Sequence, residues 1–402
     1  MSNFILGLFA LSLMAAFTSQ SLVDFADTLI VITAVYLSYK NRELKAYFTG
    51  FTPAALWPVW LGVVAVGLIV NLGFSDVQTW LNIVEFKWIL SLLSIIYLVK
   101  KTNFNNKSNN KRNNLFFSSL AGLFLVMNFA SIFLYLAIGE ARAGGIFNAV
   151  MAFSHNIASV FSLFAVLAIV NWSYFNRFQK IIIILLTSSS ALLTLLTYTR
   201  GVWISSVVGI IVCLFVWNFK RAILFLIGVG LIALVLIFGN QGINNRILSK
   251  TAVEKSSNQS RLALWRANWR MIQDYPILGV GHGQNKNHLQ KYYDEMGYPP
   301  DTLISHAHNQ YLQVWAGTGT SGFICYLVFL FSVFKITWQG YKEATEENRG
   351  FVLGLMAALL CFVVGALTEA NFNISRNRFL FLLLAGVAIG YSQVKEQKTL
   401  PQ

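Results

Sequence analysis

Two histidines two positions apart, His306 and His308, stand in the stretch SHAHNQYLQVWAGTG, Ser305–Gly319, at the start of a long apolar run. The whole chain of 402 residues has five histidines. An imidazole with its ordinary pKa of about 6.5 can take a proton from a hydroxyl near neutral pH. A His-x-His pair can also ligate a metal. No third ligand stands at a recognisable spacing, however, and neither Asp-x-Asp nor His-Glu-x-x-His occurs. The expectation is therefore no metal and no cofactor. A structural hydrogen bond is the ordinary alternative for either ring.

Arginines are the second kind of residue that could do chemistry. Arg200 lies in TYTRGVW, a turn of a few residues between two apolar runs. There it either anchors the span by snorkelling or faces an internal cavity. Ser260–Asp274 reads as a helix, with Leu262, Trp265, Trp269 and Ile272 on one face and a stop at Pro276 and Gly279. Arg266 and Arg270 fall on its polar side, while Arg261 borders the apolar stripe and is aimed along the buried face. A Trp-rich basic helix of this kind suits a membrane interface. Glu140 and Arg142 in GEARAGG, and Glu369, Arg376 and Arg378 in EANFNISRNR, read mainly as solvated loop charge. GTGTSG, Gly317–Gly322, matches G-x-G-x-x-G by letter, but it sits in an apolar run with no βαβ unit around it. Its small residues serve helix packing.

The elements that must position these residues are membrane helices. The mean hydropathy is +0.60, 56% of residues are hydrophobic and 11% are charged, against about 25% charged in soluble domains. An all-α polytopic membrane protein follows, with apolar runs near 4–19, 22–39, 54–73, 83–99, 115–138, 146–170, 180–197, 201–218, 221–239, 311–335, 350–368 and 379–393. The first run lacks a basic segment before it and reads as a span rather than a cleaved signal. The net charge of +14 does not point to nucleic acid, because 17 of the 30 basic residues fall in alternate short loops and the tail. The other short loops hold only Arg142, Arg200, Arg376 and Arg378. The positive-inside rule places the basic set, and with it both termini, in the cytoplasm. KKTNFNNKSNNKRNN is then a mobile, Asn-rich cytoplasmic loop. The chain divides into helices 1–9 (1–239), a large outer loop with short amphipathic helices (240–310), and helices 10–12 with a cytoplasmic tail (311–402). The three cysteines lie inside apolar runs and read as packing residues.

TRGVW, RLALWRAN, PILGVGHGQN and HAHNQYLQVWAGTGTSG, in this order and over roughly residues 115–390, resemble the O-antigen ligase and polymerase superfamily. The resemblance implies a metal-independent glycosyltransferase of the bacterial inner membrane. Its most similar members, the ligases, move a glycan from undecaprenyl diphosphate to a sugar hydroxyl of the lipid A core on the periplasmic side. His308 is similar to the family's catalytic histidine, and Arg200 and Arg261 to arginines that hold the diphosphate. Arg266, His306 and Asn309 complete the expected substrate-binding set. The chemistry agrees: a departing diphosphate gains negative charge that forked guanidinium donors can meet, and the acceptor hydroxyl needs a base. An O-antigen polymerase is the alternative, followed by a protein oligosaccharyltransferase or a transporter of lipid-linked sugars. No internal repeat supports transport, and the polar groups sit at one surface rather than the midplane.

Overall fold

The computed structural model describes residues 2–49, 51, 56–73, 76–84, 87–102, 110–139, 142–146, 149–239, 252–299 and 301–399. The middle of the Asn-rich loop (103–109), Glu140 and the first part of the long loop lie outside the described residues, while 110–114, expected as loop, already belong to a helix.

Every apolar run carries a helix. In chain order these are α1 (Ser2–Ala16), α2 (Gln20–Lys40), α3 (Leu44–Thr49), α4 (Leu56–Leu72), α5 (Val77–Val84), α6 (Trp88–Thr102), α7 (Asn110–Ile138) and α8 (Val150–Asn171). There follow α9 (Arg177–Leu196), α10 (Arg200–Trp217), α11 (Phe219–Gly239), α12 (Ala252–Asp274), α13 (Asn285–Glu295), α14 (Gln310–Glu343), α15 (Glu346–Gly365) and α16 (Ser375–Thr399). Among the described residues, seven helices are long and apolar enough to cross a membrane: Gln20–Lys40, Ala121–Ile138, Val150–Tyr174, Arg177–Leu196, Arg200–Trp217, Gln310–Glu343 and Glu346–Gly365. This is a polytopic helical membrane protein, and among the described residues not every apolar run carries a full-length span. The run at 83–99 shows the reason. Its helix α6 has 15 residues, about 22 Å at 1.5 Å per residue, short of a hydrocarbon core of about 30 Å. It is buried on nearly every face.

Polar side chains set several helix starts. Ser19 caps α2 by accepting from Leu22 N, and Asn176 with Gln179 forms a capping box at α9. Inside the bundle α8 packs on α10 and α15, and α16 on α6 and α14. Small residues allow close approach. A Cβ on Gly209 would meet the Ala357 carbonyl oxygen at 2.6 Å, and one on Gly354 the Leu163 carbonyl oxygen at 2.8 Å. Outward faces are apolar, as on α11, where Leu231, Val235 and Phe238 are exposed.

The helix α14 is broken at Gly319, whose φ of 64° and ψ of −175° are not helical. The loop after α12 fills the break. Val280 N donates to Ala316 O at 2.9 Å, and Thr320 N to Pro276 O at 2.8 Å. Backbone freed inside a span is tolerated where protein re-pairs it in this way. A side chain at Gly319 would collide with Ile277. Gly317 and Gly319 of GTGTSG thus serve this close crossing.

The face of α12 differs from the expected one. Its buried residues are Ala263, Leu264, Ala267, Asn268, Met271 and Ile272, while Leu262 and Trp269 are about half exposed. Small alanines let the helix lie close to α14, with Ala316 in the same core cluster. Trp269 turns outward and meets Trp315 edge to face.

Candidate active site

The loops at one end of the bundle are tied to one another. Arg142 Nε donates to Thr197 O at 2.7 Å and its Nη2 to Thr199 Oγ1 at 2.5 Å. Arg200 Nη2 donates to Asn258 Oδ1 at 3.1 Å, bringing the start of α10 to α12. Arg376 Nη1 donates to Thr18 O at 2.8 Å. The opposite end has its own ties, such as Lys101 to Glu43 at 2.6 Å.

His306 and His308 lie in the non-helical segment that leads into α14. Asn309 caps that helix, its Oδ1 accepting from Tyr311 N at 3.0 Å and Leu312 N at 3.1 Å. The segment is pinned by Ala307 N to Gln313 Oε1 at 2.8 Å and by Gln310 N to Ala366 O at 2.8 Å. His308 has a φ of 46°, a left-handed conformation that costs a residue with a Cβ about 1–2 kcal/mol. Such strain persists where surrounding contacts dictate it, and it clusters at functional sites.

The partner of both rings is Glu369, in the turn after α15. His306 Nε2 lies 2.5 Å from Glu369 Oε1, and His308 Nδ1 lies 3.0 Å from Oε2. The Glu369 side chain is 4% exposed, against 13% for His308 and 38% for His306. Burial alone would raise its pKa, but hydrogen bonds and charge from the two histidines hold the carboxyl well below the usual carboxylate range. A carboxylate only accepts, so each imidazole donates to it. That fixes the tautomer of His308: Nδ1 carries the proton, and Nε2 keeps its lone pair for another group. The solvated-charge reading of Glu369 is therefore corrected. It lies 61 residues beyond His308, a spacing with no local signature.

A pocket opens beside this pair. Arg142, His155, Arg200, Arg261, Thr368 and Glu369 are among its lining. The fold brings Arg200 and Arg261 to the same pocket. It also adds Arg142, which the sequence offered only as loop charge, and His155, buried in α8. An ionisable residue inside a span is a functional signal in its own right, and SHN at Ser154–Asn156 carried it. Gly201 permits the tight fit here, since a Cβ there would run into Thr368. Arg266 is placed apart: it is exposed, outside the pocket lining, and donates from Nη1 to Tyr298 Oη at 3.1 Å.

Three arginines around one cavity suit an anion with several oxygens. The adjacent histidine suits proton removal from a hydroxyl. His306, His308 and Glu369 also offer three ligand atoms within 4.8 Å of one another, a set that could hold a divalent cation. The third ligand missing from the sequence spacing is thus supplied by the fold, although here the rings bond directly to the carboxylate.

Residues 182–327 match the family model Wzy_C, described as O-antigen ligase. The matched region runs from α9 into α14 and holds Arg200, Arg261, Arg266, His306, His308 and Asn309; Arg142, His155 and Glu369 lie outside it. No curated protein matches the chain.

Proposed function

With an O-antigen ligase family domain in residues 182–327 as the premise, we propose that this chain is a membrane glycosyltransferase. It transfers O-antigen glycan from undecaprenyl diphosphate to a sugar hydroxyl of the lipid A core. The observation that carries this reading is the meeting of Arg142, Arg200 and Arg261 at one pocket with Glu369, the carboxylate that binds His308.

The diphosphate of the donor sits against the guanidinium groups. His308 Nε2 takes the proton of the acceptor hydroxyl, and the oxygen attacks the anomeric carbon. The bond from that carbon to the phosphate oxygen breaks, and its electron pair leaves with the diphosphate. Fixed positive charge meets the charge that develops there, the largest lever available to such a site. Glu369 stabilises the imidazolium formed on His308, as the buried acid of a catalytic triad does. The leaving group needs neither a proton nor a metal. Of the other expected residues, Asn309 holds the segment by its cap and His306 braces Glu369.

The site end faces the periplasm in this reading, since the basic short loops gather at the other end. The tail with Lys395 and Lys398 belongs to that basic set, which leaves the C-terminus in the cytoplasm of a bacterial inner membrane, and an even number of crossings leaves the N-terminus there too. The test is a lipopolysaccharide gel from a deletion strain, complemented with the wild-type chain. A ligase leaves the core without long-chain ladder while lipid-linked polymer accumulates. A core bearing a single repeat identifies a polymerase instead, and an unchanged ladder removes both readings.

A further inference from the structure

His155 lies in the second turn of α8 and is 3% exposed. It lines the same pocket as Arg142, Arg200 and Arg261, and the transfer step as written above leaves it without a task. Its backbone is ordinary helix, with its carbonyl accepting from Ser159 Oγ at 2.9 Å. The ring leans on Gly365 at the end of α15, where a Cβ would come to 3.0 Å from Nδ1. Glycine at that position leaves the imidazole its room between the two helices.

Among the described residues no hydrogen bond engages this ring. An imidazole carries at least one N–H in either protonation state. A donor placed where the protein excludes most water needs an acceptor, and leaving the bond unmade is costly. The walls of the pocket do not supply one. Guanidinium groups only donate. Glu369 already accepts from His306, His308 and Ala370 N. Thr199 Oγ1 accepts from Arg142 and donates to Thr197 O, and Thr368 Oγ1 donates to Gly365 O. The pocket also has a floor and a mouth. His155 and Glu369 are buried, whereas the three arginines are half-buried and Met151 is exposed. The free space matches an atom or two rather than a whole phosphate.

We infer that His155 is a further donor-binding residue: its ring N–H donates to one non-bridging oxygen of the donor's diphosphate at the floor of the pocket. The rest of the diphosphate lies outward among the three guanidinium groups. The inference rests on the glycosyltransferase reading above and adds to it a residue outside the matched family region. A phosphoryl oxygen suits the place because it only accepts, and the lining around it offers donors. A water or a sugar hydroxyl must itself donate, and the carboxylate and hydroxyls that could accept are already engaged.

The probe is inorganic pyrophosphate, titrated by calorimetry into the full-length protein in nanodiscs. His155→Leu keeps the bulk of the ring and removes its N–H. It should weaken pyrophosphate binding about 10- to 150-fold, the worth of one hydrogen bond to a charged group. His155→Gln presents an amide N–H instead and should recover most of that loss. Neither change removes a side-chain hydrogen bond from the free protein, so both variants should melt close to the wild type. A second measurement needs only the wild type to fold around its ligand. The chain has five histidines, and in protein labelled with ¹⁵N-histidine the His155 resonance, identified by its absence from His155→Gln, should shift as pyrophosphate saturates. A resonance that stays in place overturns the assignment, as does a wild type that binds no pyrophosphate. A His155→Leu protein of wild-type affinity overturns it too, and a lowered melting temperature beside that affinity marks the imidazole as purely structural. The transfer assay separates the two claims. Pyrophosphate binding that depends on His155, in a chain that transfers no glycan, refutes the transferase reading and leaves the phosphate contact standing. Glycan transfer by a chain whose pyrophosphate affinity ignores His155 refutes the contact alone.

Discussion

Glu369→Gln tests the arrangement of the site most directly. The carboxylate accepts from His306 Nε2 at 2.5 Å and from His308 Nδ1 at 3.0 Å. Glutamine has the same shape but one acceptor oxygen, so it can keep one of these bonds. It also lacks the charge that stabilises an imidazolium. A hydrogen bond to a charged group contributes about 1.5–3 kcal/mol. At about 1.36 kcal/mol per tenfold, losing one in the transition state slows transfer roughly 10- to 150-fold. Glu369→Ala removes both bonds and should approach the full worth of the base, about 10²–10⁴-fold. The assay is single-turnover transfer from undecaprenyl-diphosphate-linked glycan to lipid A core, at saturating donor and matched protein concentration. Melting curves accompany it, since two imidazoles lose their partner. A Glu369→Gln enzyme within about threefold of wild type, with an unchanged melting temperature, would refute the assignment of Glu369 to catalysis. The same carboxylate shapes acid stability. Its folded pKa is lowered, so its contribution is fully present above the unfolded value of about 4.3 and fades as pH falls towards the folded one. The melting temperature of wild type should therefore drop below pH about 4 more steeply than that of Glu369→Gln.

His308→Ala should lose about 10²–10⁴-fold in rate while still binding lipid-linked donor, whereas His306→Ala should keep measurable transfer; the reverse pattern would show that the other ring is the base. Arg200→Lys and Arg261→Lys should each lose about 2–4 kcal/mol of transition-state stabilisation, as for single donors at other oxyanion sites, and near-normal rates at normal protein levels would reduce these residues to anchors. Transfer should persist in EDTA; loss of activity restored by Mg²⁺ or Mn²⁺ would assign the His306, His308 and Glu369 cluster to a metal. Gly319→Ala should abolish stable insertion or sharply lower the melting temperature, because φ is 64° and Ile277 occupies the space; wild-type melting would show that the break in α14 is dispensable.

Much of this protein is written locally in its sequence. Apolar runs of span length dictate helices in a bilayer, because no other open structure satisfies its backbone there. The order of TRGVW, RLALWRAN and HAHNQYL sufficed to single out Arg200, Arg261 and His308 as candidates. Tertiary structure decided what those residues meet. Glu369 was misread because a lone carboxylate beside a span looks like loop charge, and its 61-residue separation from His308 carries no periodic signal. Arg142 was misread for the same reason: only its bonds to Thr197 and Thr199 tie it to the turn before α10, where it lines the pocket. The face of α12 also escaped, because hydrophobicity favours burying tryptophan, whereas the distance to α14 admits alanine. The length of α6 was likewise a tertiary matter, since that helix is apolar for burial inside the bundle rather than for length across the bilayer. Local pattern reports what a residue prefers, while a site depends on which residues the packing of distant helices brings within 3 Å.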